Sequence, residues 1–112
     1  MKFYYALYSD EKSASDKEEI RKKLKKNKLQ VGKFLIALTE NENNHLEFFN
    51  TMLLLQKRLA KKNMFVVGVA SGYDGAMEVV EKITQEVYDE TGGADIRRYI
   101  LQRQRDFEEG NV

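Results

Sequence analysis

Three stretches of the sequence are apolar almost without interruption: KFYYALY at 2–8, much of VGKFLIALT at 31–39, and MFVVGVA at 64–70. Each is rich in aromatic or β-branched residues and reads as a strand. A strand without polar alternation has to be buried on both faces, and such strands, separated by helical segments, make a parallel sheet sandwiched between helices. That demand for cover on two sides falls on a chain of 112 residues, enough for one domain spanning 1–112 with one core.

The intervening segments carry helical signals. The chain has no proline, so its breaks are read from clusters of Gly, Asn, Ser and Asp. Ser15 followed by Glu18 spells a capping box for a helix over 16–28, whose only apolar stripe is Ile20 and Leu24 amid Arg21, Lys22, Lys23, Lys25 and Lys26. A second helix is expected over 44–62, with Asn44 as N-cap. Plotted at helical spacing, Phe48, Phe49, Met52, Leu53, Leu55, Leu59 and Ala60 fill about half its circumference, Leu54 falls outside that arc, and Gln56 falls near its middle. So broad an arc implies contact with the sheet and with something else. The third helix, 72–90, is conventionally amphipathic and is stopped by Gly92 and Gly93. Asp95 then caps a last helix, IRRYILQRQRDF, with Ile96, Tyr99, Ile100 and Phe107 as a partial stripe.

The expected order is β-α-β-α-β-α-α. Right-handed crossovers close it most simply as a three-stranded parallel sheet of order 2-1-3, with helices on both faces and the first strand central. At fold level this resembles a reduced flavodoxin- or Rossmann-type half domain, a resemblance that implies an architecture and no activity. Two open sheet edges and the broad second helix point to a homodimer, with Phe48, Met52, Leu54, Leu55 and Gln56 as interface residues.

In a parallel sheet, ligands bind beyond the carboxyl ends of the strands. On that topology one rim gathers Asp10 after the first strand, Glu40, Asn41, Asn44 and His45 after the second, and Ser71, Gly72, Tyr73, Asp74 and Gly75 after the third. The turn at 71–75 has the glycines and helix start of a phosphate loop, but its glycines at 68, 72 and 75 fit neither GxGxxG nor GxxxxGK[ST], no Lys or Arg is near in sequence, and Asp74 would repel an anion. A well-capped corner explains the same letters. Asp10, Glu40 and Asp74 are a candidate set for a divalent cation, although loop tips are rich in such residues for turn-making alone. His45 has no recognisable nucleophile beside it, and Val69 stands where a GxSxG elbow needs glycine. No catalytic residue, metal or cofactor is assigned.

With no cysteine, thiolate metal sites, disulfides and cysteine nucleophiles are excluded. No apolar run is long enough to span a membrane and the N-terminus lacks a signal-peptide pattern, so a cytoplasmic location is expected. Net charge is +1, but residues 1–62 hold 14 Lys/Arg against 8 Asp/Glu and residues 63–112 hold 5 against 10. The Lys-rich first helix offers nucleic-acid binding as an alternative function, weakened by the absence of aromatics between the lysines. A phosphate- or Mg²⁺-dependent enzyme using the rim is the other. The leading expectation is a non-enzymatic α/β module acting by self-association and by binding a protein partner or small ligand at the rim.

Overall fold

The computed structural model describes residues 1–28, 30–38, 46–56 and 64–111, with the side chains of 54–56 excepted. Strand β1 (Lys2–Ser9) is followed by a 3-10 turn (Glu11–Ser13) and helix α1 (Lys17–Lys25). Then come β2 (Lys33–Leu38), β3 (Leu46–Asn50), the short α2 (Thr51–Gln56), β4 (Phe65–Ser71), α3 (Gly72–Thr91) and α4 (Ile96–Glu108). No described helix is long and apolar enough to cross a membrane.

The sheet corrects the expected topology. It has four strands in the order β1-β4-β2-β3, and only β1 and β4 run parallel; β2 is antiparallel to both β4 and β3. The parallel three-stranded sheet of order 2-1-3 and the flavodoxin- or Rossmann-type resemblance are therefore overturned. The first strand lies at an edge, which its half-buried pattern reflects, while β4 holds the centre with five consecutive buried residues.

The additional strand, β3, comes from the segment read as the start of the second helix. Phe48 joins the core beneath α3 and α4, whereas its neighbour Phe49 packs on the opposite side with α1. Adjacent residues facing opposite ways is the period of a strand, and at helical spacing the same pair spreads an apolar arc to half a circumference. β3 lies directly against β2, with Leu38 opposite Leu46 and Phe34 opposite Asn50. The expected N-cap Asn44 lies outside the described residues, between two strands that pair antiparallel.

The two cores follow from this register. On one face α3 and α4 bury Ala76, Val79, Ile83, Val87, Ile96 and Ile100 against Tyr4, Ile36 and Val67. On the other, α1 contributes only Ile20 and Leu24, set against Leu7, Leu35, Val66 and Val69. The thin cover expected of the first helix is what forms, although its N-cap is Asp16, without a side-chain cap hydrogen bond, and not the expected Ser15. Helix α3 ends at left-handed Gly92, whose N–H donates to Tyr88 C=O, and the Asp95 carboxylate caps α4 through Arg98 N–H.

Two irregularities shape β4 and its neighbours. Against β2, Gly68 lies opposite Ile36 and Val66 opposite Ala37, leaving Val67 as an extra residue. The bulge turns Gly68 toward α3, where a Cβ would lie 2.8 Å from Val79 Cγ1. Against β1, the pairing shifts between Phe3 and Tyr8.

Candidate functional site

The exits of β1 and β4 share one end of the sheet, and the residues there are tied together. Asp10, 2% exposed, accepts the Ser71 N–H with both carboxylate oxygens at 3.3 Å. Its own C=O accepts the Ser13 N–H, which starts the 3-10 turn. Ser13 Oγ, fully buried, lies 2.8 Å from Ser71 Oγ, and Lys33 Nζ donates to the same Ser71 oxygen at 2.9 Å. Gly72, at φ +70°, donates its N–H to Gly32 C=O at 2.8 Å. The β4–α3 corner is thus fastened to β1, to the 3-10 turn and to the start of β2.

This arrangement bears directly on the phosphate question. A helix amino end favours an anion, and at α3 the protein supplies its own in the Asp10 carboxylate. Gly75, in the first turn, is what lets the carboxylate in: a Cβ there would stand 2.4 Å from Asp10 Oδ2. The glycine spacing that suggested a phosphate cradle therefore serves an internal side chain. Lys33 is the residue that the sequence reading missed, because only an antiparallel β2 starts at the end of the sheet where β4 stops. Acyl chemistry at Ser71 would need backbone donors for an oxyanion, and the Ser71 and Gly72 N–H groups are both engaged.

The other expected site residues separate. Tyr73 and Asp74 are exposed on the first turn of α3. Glu40, Asn41, Asn44 and His45 lie outside the described residues; Leu38 and Leu46, which bracket them, sit level with Phe65 at the opposite end of the sheet from Ser71. Among the described residues no three His, Cys, Asp or Glu side chains come together as a cation site. Of the interface candidates, Phe48 lies 6.3 Å from Phe34 and 5.5 Å from Tyr73 between ring centroids, and Met52 is partly exposed. The side chains of Leu54, Leu55 and Gln56 are outside the described set.

A second polar cluster sits between β1, α3 and α4. Glu86 accepts from the Tyr8 hydroxyl and, at 3.0 Å, from the Tyr99 hydroxyl. Arg103 reaches the Tyr99 hydroxyl at 2.6 Å, the Tyr5 hydroxyl at 3.3 Å and Glu86 at 3.4 Å. Burial, followed by the hydrogen bond to Glu86, pushes the Tyr8 hydroxyl well above the usual phenol range, and burial raises that of Tyr99. The hydrogen bond to Tyr5, more than any other contact, raises the arginine further above its ordinary value. Arg103 is half-buried between the hydroxyls of Tyr5 on β1 and Tyr99 on α4.

Tyr4, beside this cluster, has a buried hydroxyl with no hydrogen-bond partner among the described residues. Burial pushes it up to about 12. Since that lies above the value of about 10 in an unfolded chain, its contribution is intact below pH 10 and is lost as pH rises toward 12. Tyr4→Phe should therefore match or exceed the parent by up to ~1 kcal/mol in urea unfolding at neutral pH. Its advantage should grow by on the order of 2 kcal/mol at strongly alkaline pH. A constant difference at all pH values would show that the hydroxyl is not the titrating group.

No family model, no curated protein and no solved structure matches the chain. Its function is therefore argued from the geometry alone.

Proposed function

We propose that the protein is a non-enzymatic module that works by self-association, with the β3 edge and the apolar corner beside it receiving a second copy. The observation that carries this reading is the corner itself. Val31 is 80% exposed, Tyr73 59% and Leu53 44%. Thr51 Oγ1 donates to Gln30 C=O and Gly72 N–H to Gly32 C=O, so the residues on either side of Val31 are bonded to the first residues of α2 and α3, the helices that carry Leu53 and Tyr73. Tyr73 adds an edge-on contact to Phe48 of β3. Exposed apolar groups gathered in one place mark interaction surfaces.

The two sheet edges support the same reading by their difference. The β1 edge is guarded: its pairing is irregular, the Tyr5 N–H is taken by Gln104 Oε1 at 2.9 Å, and Phe107 stacks on the Tyr5 ring. Among the described residues no strand lies beyond β3. A two-fold antiparallel pairing centred on Phe48 would set Phe48 against its own copy, Glu47 against Phe49 and Leu46 against Asn50, so that no like charges oppose. The self-engaged corner at Asp10, Ser71 and Gly75 favours this reading over a phosphate- or metal-dependent enzyme.

Sedimentation equilibrium tests it. The parent should show a concentration-dependent monomer–dimer equilibrium, and Tyr73→Glu and Leu53→Glu should each weaken it about tenfold, some 1.4 kcal/mol. Both side chains are exposed, so circular dichroism should be unchanged. A single-chain mass at every concentration, or undiminished association in both folded variants, would overturn the proposal.

A further inference from the structure

We propose that the groove along the outer side of β1, between α1 and α4, binds a short segment of single-stranded nucleic acid. Two cavities of about 320 and 260 Å³ lie there and share Phe3, Arg21 and Gln104, so they form one continuous trough. Each is near the lower end of the size range of small-ligand pockets, about 300 Å³. Together they offer room for an extended polymer at the edge opposite the self-association corner.

The chemistry of the trough selects the ligand. Strand-free bases are held by aromatic faces, and their phosphates by cations along the same groove. On the sequence the aromatics and the lysines of the first helix stand apart; the fold brings them together. Phe3 of β1 lies beneath Arg21 and Lys25, with the guanidinium carbon 5.9 Å and the ammonium 5.4 Å from the ring centroid. Phe107 stacks on Tyr5 at 4.4 Å and 5° between ring planes, yet remains 50% exposed. Half of the Phe107 side chain is thus left open to a base that would extend the stack.

Charge favours an anionic polymer. Of the acidic residues in the trough, Glu18 is paired with Arg21 at 2.9 Å, and Glu108, hydrogen-bonded to the neutral Gln104 Nε2 at 3.0 Å, keeps one negative charge against the two of Lys2 and Lys25. Lys2 and Lys25 line the trough without an ion pair among the described residues, and Lys22 and Lys26 stand exposed on the same helix. A duplex keeps its bases stacked inside and presents no faces to Phe107, so the groove is matched to a single strand.

Fluorescence anisotropy with labelled oligouridylate and oligothymidylate of about eight nucleotides tests this on the whole chain. If Lys2 and Lys25 each neutralise a phosphate, affinity should fall roughly 25-fold for a tenfold rise in salt. Phe107→Ala should weaken binding about tenfold and leave the salt slope unchanged, whereas Phe107→Tyr should bind like the parent. Lys25→Gln should lower the slope by about 0.7. Three results would overturn the proposal: no saturable binding at low salt, equal affinity for a duplex or an oligoglutamate of the same charge, or an unaltered affinity in folded Phe107→Ala.

Discussion

Gly75→Ala should lower the unfolding free energy by about 3 kcal/mol, although alanine is intrinsically the better residue inside a helix. A Cβ at this position would sit 2.4 Å from Asp10 Oδ2 and 3.0 Å from Asp10 Cγ. Asp10 is short and buried, so its carboxylate has to leave the Ser71 N–H without reaching water. A buried carboxylate that loses its partner is among the more expensive single defects. The decisive measurement is the same substitution in an Asp10→Ala background. There the obstacle is gone, and Gly75→Ala should become neutral or stabilising by up to ~1 kcal/mol, its propensity advantage. If denaturant unfolding gave the same sign in both backgrounds, Asp10 would not be what keeps position 75 a glycine.

Gly68→Ala should cost about 2 kcal/mol by overpacking the centre of the sheet. Here the crowding comes from two sides, Val79 Cγ1 of α3 at 2.8 Å and Tyr8 C=O of β1 at 3.3 Å. Val79 is fully buried, and its rotamer is restricted by branching, so the helix has to back away from β4. Truncating the neighbour makes the test specific: in a Val79→Ala background, Gly68→Ala should cost markedly less than it does alone. Additive losses in the two-residue cycle would place the strain at Tyr8 instead.

Much of the local structure was legible in the sequence, and most of the sheet topology was not. The runs at 2–8 and 64–70 become β1 and β4, and 33–38 becomes β2; burial on both faces accounts for the unbroken apolar run of central β4, while β1 at the edge is only half-buried. Helices α1, α3 and α4 followed from Ile20 with Leu24, from the stop at Gly92 and from the cap at Asp95. What escaped was the segment around Phe48 and Phe49, where five residues of strand run directly into the six of α2 and blend into one apparent helix. Missing that strand reversed β2, since the handedness rule for parallel crossovers has no force on a hairpin. The placement of Asp10 beside Ser71 was inferred from strand exits and needed only the β1–β4 pair, which is parallel. Lys33 was out of reach because its proximity to Ser71 exists only once β2 is turned around.

The placement of β4 between β1 and β2 also dictates an order of assembly. Tyr8 finds its partner Gly68 some sixty positions later, whereas Leu38 and Leu46 meet across a short hairpin. Local pairings form before distant ones, because closing a long loop carries more chain entropy. On a ribosome the amino-terminal strand emerges first and waits, its aromatic side chains without a neighbouring strand, until the last one arrives to slot in beside it. The chain that is made first is therefore the chain that docks late, and the completion of the sheet is gated by its second half.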